Sequence, residues 1–273
     1  MVRLVILVIV VLLGYMAYDA FSGLPRIGFG ERIDVAQHAA TGLRTIFVFT
    51  SPVCGPSEYV GARVKRLVRS TRGLDARMVD INRAKGSRTE YDSPLAKQFE
   101  IQAIPAVAIA DIAGKIAVKG PAAASQVFAW FVQSQVDPDK PLTLDPDPTY
   151  SGERITTHGK GEKVELSDLT VKGRITVFDF YSDFCPPCRA LSGPLEQMVK
   201  SCPKVILRRV DINRPGVQGI DWKSPTYRSR QIRGIPHLVV CDESGKVRLE
   251  GNPARDAVVE WINFGMNLGQ RCP

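Results

Sequence analysis

The sequence predicts an α/β chain built from two tandem copies of one unit, each a central mixed sheet flanked by helices, after an N-terminal hydrophobic segment. Three observations carry this: a repeat at constant offset, apolar strand-like runs alternating with helical periodicity, and a proline-rich break between the copies. The offset is 131 residues, from Cys54 to Cys185, and it carries Val79-Asp80-Ile81-Asn82-Arg83 onto Val210-Asp211-Ile212-Asn213-Arg214. It also carries Ser93-Pro94 onto Ser224-Pro225, Ile104-Pro105 onto Ile235-Pro236, Gly114-Lys115 onto Gly245-Lys246, and Trp130 onto Trp261. So many landmarks at one spacing indicate a duplication with almost no insertions.

At 273 residues the chain suits two domains of ordinary size, and 44% hydrophobic against 23% charged residues supplies packed cores. The net charge of +8 is spread along the chain, without a basic tail, zinc-finger spacing or aromatic-interleaved basic run. Nothing in that pattern supports nucleic-acid binding, and no nucleic-acid partner is expected. Six cysteines are too few for a disulfide-stapled mini-domain, so their positions matter more than their number.

Along the chain, the first element follows Arg3, where residues are apolar from Leu4 to Ala17. A basic residue and then about 15 apolar ones fit a signal-peptide core or a short membrane anchor. Tyr18 and Asp19 stand where a cleavage site needs small residues, and counting on to Leu24 approaches spanning length. Residues 1–24 are therefore expected to be a membrane anchor or signal peptide, touching the membrane through residues 4–21, with a buried core helix as the rival. Arg3 inside places the remainder in the oxidising, periplasm-facing or extracytoplasmic cell envelope.

Residues 25–136 form the first copy, and residues 137–150, with Pro138, Pro141, Pro146 and Pro148, are a stiff linker. Residues 151–273 are the second copy. There Ile175–Tyr181 reads as a buried strand, Arg189–Lys200 as a helix with Leu191, Leu195 and Met198 at helical spacing, and Val205–Ile212 as the next strand. Ser224-Pro225 is an N-cap followed by proline at the first helical position. His237–Cys241 and Val247–Glu250 flank a turn at Ser244-Gly245 and form a hairpin. Ala254–Asn267 closes as a helix with Val258, Trp261, Ile262 and Met266 on one face. Strand–helix–strand implies a parallel pair, to which the hairpin adds antiparallel strands.

A strand end, then Cys185-Pro186-Pro187-Cys188, then a helix resembles the thioredoxin superfamily, and Ile235-Pro236 matches that family's active-site cis-proline. The resemblance extends over both halves, and the second half with its Gly161–Leu169 segment looks most like the membrane-tethered thioredoxin-like reductases of bacterial envelopes. It implies an acid, Asp179, beneath the second cysteine, a cis Pro236 shaping the client groove, and reduction of protein disulfides. Phe184, Pro186, Pro187 and Ile235 are the expected groove lining.

The chemistry of the residues agrees. Two cysteines with two residues between them close a small disulfide at a helix start, where the dipole and open N–H groups favour a thiolate at Cys185. Cys185 is the expected attacking thiolate and Cys188 the resolving thiol. Asp179, inward-facing on an apolar strand, suggests proton transfer with Cys188, or else a hydrogen-bonded structural acid. A zinc half-site lacks a second ligand pair among three histidines, and haem attachment needs a histidine where Arg189 stands. No cofactor and no metal are expected, although a thiolate pair plus His237 leaves a copper-delivery module as an alternative.

The first copy has Cys54-Gly55-Pro56-Ser57 and carries Val48 at the place of Asp179. Both changes remove dithiol chemistry, leaving Cys54 as a candidate monothiol or a remnant in a docking module. Arg63, Lys65, Arg66 and Arg69 form a basic run that would either attract anionic partners or line a solvated helix face. Cys202 and Cys272, each after a helix expected to end at the same pole, are the candidate structural disulfide, and Cys241 is an inert buried thiol. The reading as a whole is a thiol–disulfide oxidoreductase of the envelope whose partners are protein thiol or disulfide clients and an upstream redox protein. A disulfide oxidase or isomerase and a non-enzymatic tandem scaffold are the alternatives.

Overall fold

The structure, a computed structural model, describes residues 24–83, 88–144 and 150–272. The expected anchor at residues 4–21 lies outside them, as does part of the linker. Among the described residues no helix is long and apolar enough to cross a membrane.

Two five-stranded mixed sheets flanked by helices make up the fold. In the first half the elements are β1 (Arg26–Ile27), α1 (Val35–His38), β2 (Arg44–Thr50), α2 (Gly55–Ser70), β3 (Leu74–Asp80), α3 (Pro94–Gln98), β4 (Ala106–Ala110), β5 (Ile116–Lys119) and α4 (Gly120–Val136). In the second half β6 (Ile155–His158) is followed by a 3-10 turn (Leu166–Asp168), β7 (Ile175–Tyr181), α5 (Pro186–Ser201) and β8 (Val205–Asp211). Then come α6 (Pro225–Ser229), β9 (His237–Cys241), β10 (Val247–Glu250) and α7 (Asn252–Asn267). The strand orders are β1-β3-β2-β4-β5 and β6-β8-β7-β9-β10. In both sheets the first three strands of that order run parallel, and the hairpin joins them through an antiparallel strand, β4 or β9.

The central strands β2 and β7 are buried on both faces, which is why they read as unbroken apolar runs. Alternation divides β7 cleanly. Ile175 and Val177 join the core under α5 and α7, whereas Phe178 and Phe180 join the cluster on the opposite face with Ile232 and Leu166. The duplication extends to a loop motif. Asn213 donates to Gly219 O and accepts from Asp221 N, and Asn82 makes the same pair of bonds to Arg88 O and Glu90 N.

The halves share one core through α7. Phe264 stacks on Phe131 with ring centroids 4.4 Å apart and leans on Phe128 at 5.6 Å. A Cβ at Gly265 would come within 2.7 Å of the Phe128 ring, so only glycine lets the helix approach this closely. Truncating a buried phenylalanine such as Phe264 costs about 3–5 kcal/mol. The basic run on α2 belongs to this seam: Arg63 Nε and Arg66 Nη2 donate to Glu260 of α7 at 3.3 and 2.6 Å. Those two arginines are thus committed to the second half. In the linker, Thr143 O accepts from Trp130 Nε1 at 2.9 Å, Lys140 pairs with Glu243, and Arg248 pairs with Asp137 at 3.6 Å.

The expected Cys202–Cys272 disulfide is not formed. Cys272 is bonded to Cys54 of the first half, with Cα atoms 5.5 Å apart, and Cys202 is a buried cysteine outside both disulfides. The reason is the packing of α7. Its C-terminus abuts the first half, so the five residues after Asn267 cross to that half instead of returning to the end of α5.

Candidate functional site

Cys185 is the N-cap of α5, in extended conformation, with prolines in the first helical turn. Pro186 and Pro187 lack N–H groups, so the first amide free to point at Cys185 belongs to Cys188. Cys188 N donates to Cys185 Sγ at 3.2 Å. Cys185 and Cys188 are joined as a disulfide with Cα atoms 5.3 Å apart. Cys185 is 2% exposed and Cys188 fully buried. The turn before them is fixed by Ser182, whose carbonyl accepts from Cys185 N and whose hydroxyl accepts from Phe184 N.

Around the disulfide the expected groove residues do come together. Phe184 is 44% exposed, Pro186 and Pro187 are exposed, and half-buried Ile235 packs on the cluster of Tyr181, Cys185 and Cys188. The Ile235–Pro236 peptide is cis, and Ile235 O lies 3.7 Å from Cys185 Sγ. His237, beyond the proline, pairs with Glu250 at 3.1 Å and meets the Phe180 ring edge-on. Both neighbours belong to the sheet face opposite Cys188, which separates His237 from the dithiol.

Asp179 sits on the face of β7 between Val177, in the α5 core, and Tyr181, in the cluster with both cysteines. It is fully buried, and burial raises its carboxyl from the usual 3.8 to about 6, an effect that Arg209 partly offsets. Arg209 is its register partner on β8, with Nε 3.6 Å from Asp179 Oδ2. That separation permits attraction but no hydrogen bond, and neither carboxylate oxygen has a hydrogen-bond partner among the described residues. Arg209 also lies over the Tyr181 ring at 4.0 Å.

Sequence reasoning passed over three features near the site. Arg209 was hidden because register, which sets it opposite Asp179, is not a local property. Trp222 is 45% exposed with its ring edge-on to Tyr227, and occupies the place that Tyr91 takes in the first half. A cleft of about 480 Å³ beside Phe184 is lined by Asp183, Asn213, Arg214 and Val217. The duplicated Asn-Arg motif pointed to that loop, but not to a cleft.

The matching place in the first half contains Cys54 as N-cap of α2, the buried Ser57 one turn on, and a second cis peptide, Ile104–Pro105. Val48 faces Met78 across β2 and β3, replacing the Asp179–Arg209 pair by two apolar side chains. Cys54 is not a thiol here but half of the disulfide to Cys272. Cys241 is buried in β9, and burial pushes its thiol up to about 11, which keeps it protonated and unreactive.

Comparison with known proteins bears on the half that holds the dithiol. Residues 163–264 match the family model described as Thioredoxin. The second half carries a thioredoxin superfamily domain. The thiol:disulfide interchange protein TxlA homolog of Synechocystis is 29% identical over 85 residues, 30% of this chain and 43% of that protein. The chain thus spans less than half the length of that relative. A thioredoxin of Chlamydia pneumoniae is 24% identical over 100 residues, covering 36% of this chain and 90% of that protein. Among solved structures, thioredoxin f from spinach chloroplast (long form) aligns over 41% of this chain and 86% of its own, at 21% identity and a TM-score of 0.28. The family match and the two sequence relatives support thiol–disulfide oxidoreductase chemistry in general terms.

Proposed function

We propose that the protein reduces protein disulfides in the cell envelope through Cys185 and Cys188, held to the membrane by its N-terminal apolar segment. The observation that carries the chemistry is the Cys185–Cys188 disulfide at the start of α5, buried behind a rim of Phe184, Pro186, Pro187 and Ile235. In the reduced protein the Cys185 thiolate attacks a client disulfide and forms a mixed disulfide, releasing one client thiolate. Cys188, giving its proton to Asp179, then attacks Cys185 Sγ. The second client thiolate leaves, and the protein disulfide closes with two electrons passed to the client. An upstream dithiol protein must return those electrons.

Asp179 suits the proton step because its carboxyl, raised to about 6, titrates near neutral pH. The envelope location is supported by the apolar run behind Arg3, and the membrane-tethered reductases that the second half resembles point the same way. The name of the Synechocystis relative, a thiol:disulfide interchange protein, fits exchange in either direction.

A redox titration of Cys185–Cys188 in the full chain tests the direction. A potential near the thioredoxin value of about −270 mV supports reduction, whereas one near about −120 mV marks an oxidant and overturns it.

A further inference from the structure

The chain's own C-terminal tail lies across the first half where a client peptide would lie. α7 ends at Asn267, and Gly269, at φ +69°, turns the chain toward β4. Gly269 N donates to Pro105 O at 2.9 Å, and Ile104 N donates to Gln270 O at 2.9 Å. Both bonds fall on the two residues of the cis peptide. Tyr91 then grips the next residues: its hydroxyl accepts from Cys272 N at 3.0 Å and donates to Cys272 O at 3.2 Å. The Arg271 guanidinium lies 5.7 Å from the Tyr91 ring centroid. The tail ends in the covalent bond from Cys272 to Cys54.

This arrangement is a binding site and not merely a staple, on two grounds. The first is that the tail is held by main-chain groups on both sides, which any extended peptide presents. The second is Ser57, which stands where a resolving cysteine would be; its hydroxyl is fully buried and has no hydrogen-bond partner among the described residues. A serine hydroxyl does not attack a disulfide, so a mixed disulfide on Cys54 is released only by Cys272 of the tail or by an outside thiol. Beside the tail runs a cavity of about 550 Å³ lined by Phe49, Phe99, Ile101, Phe128 and Leu268, which leaves apolar room for side chains of a peptide seated there.

We propose that the first half is a thiol-capture site for an extended, cysteine-bearing peptide, closed in the resting protein by the chain's own Gly269–Cys272. Capture is an exchange. A client thiolate attacks Cys54 Sγ, a Cys54–client disulfide forms, and the Cys54–Cys272 bond breaks. Cys272 leaves with the electron pair and takes up a proton. One thiol is consumed and one is produced, so no outside oxidant or reductant enters. The site does not depend on the chemistry of Cys185 and Cys188.

The test uses the full chain in detergent and reads adducts by non-reducing peptide mapping. In the wild-type protein Cys54 should map to Cys272. A synthetic peptide of residues 268–273 added as its free thiol should appear on Cys54 while Cys272 becomes open to alkylation. In the C272S chain, the same peptide activated as a 2-thiopyridyl disulfide should load onto Cys54. A version with N-methylglycine at position 269, which cannot donate to Pro105 O, should load about fivefold to tenfold more slowly, as expected for one lost hydrogen bond. Equal rates for the two peptides, the absence of an adduct on Cys54, or a wild-type map without the Cys54–Cys272 link would overturn the proposal. The wild-type exchange decides the matter even if the C272S chain folds poorly.

Discussion

At one register position the second half buries Asp179 against Arg209, and the first half buries Val48 against Met78. One helical turn into the following helix, the second half has Cys188 and the first has Ser57. The scaffold around both is the same: strand order, cis peptide, and cysteine at the helix N-cap. The two halves thus separate what the fold provides from what the chemistry adds. A cis peptide and a cysteine at a helix start survive without the acid and the second thiol. What disappears is a second thiol within the same helical turn as the first.

The largest effect should come from deleting the attacking thiol. Cys185→Ser should lower insulin-disulfide reduction by roughly a thousandfold or more, as loss of a nucleophile does, while Cys54→Ser should leave the rate within about twofold. A comparable loss in both variants would break the division of roles. Next, Ser57→Cys should convert the first half toward the second. The new thiol can attack Cys54 and expel Cys272, so peptide mapping should find Cys54 linked to the introduced thiol in place of the tail disulfide. Persistence of the Cys54–Cys272 link would show that the tail is held by more than the missing thiol.

Grafting the acid into the apolar half gives the next effect. Val48→Asp places a carboxyl opposite Met78, and urea unfolding should report a loss of about 3 kcal/mol or more. The reverse change should stabilise. A folded pKa raised above the unfolded 3.8 means that Asp179 contributes stability fully below about pH 4, and that this is lost as pH rises through about 6. Asp179→Asn should therefore gain roughly 3 kcal/mol near pH 8 and almost nothing near pH 4, read from urea midpoints at both pH values. The same variant should slow the resolving step, prolonging mixed disulfides with insulin. The smallest effect belongs to the seam: Glu260→Ala removes partners of half-exposed Arg66 and Arg63, and should cost under about 1 kcal/mol.

Much of this comparison was legible in the chain itself. The run Ile175–Tyr181, the hairpin strands His237–Cys241 and Val247–Glu250, and the cap at Ser224 are dictated by local patterns and stand in the structure as read. Cys185, Cys188, Asp179 and Ile235 are legible because the reactive turn is local and an acid in an apolar strand stands out. The four-residue β6, Ile155–His158, was missed because Ile-Thr-Thr-His has too little apolar character to announce a strand; it exists through pairing with β8. The partner of Cys272 was missed for a deeper reason. It depends on Gly265 letting α7 settle on Phe128, an inter-half contact that no window of sequence contains. The basic run of α2 was misleading for the same reason, since Glu260 lies 194 residues beyond Arg66.

The bond between Cys54 and Cys272 spans 218 residues and encloses the whole proline-rich linker. Residues 54–272 thereby form a covalent ring, and the linker is only one of two covalent connections between its lobes. A protease that cuts between residues 137 and 150 would nick this ring without parting it: one band on a non-reducing gel, two after reduction. Parting the two lobes would then require a cut and a reductant together.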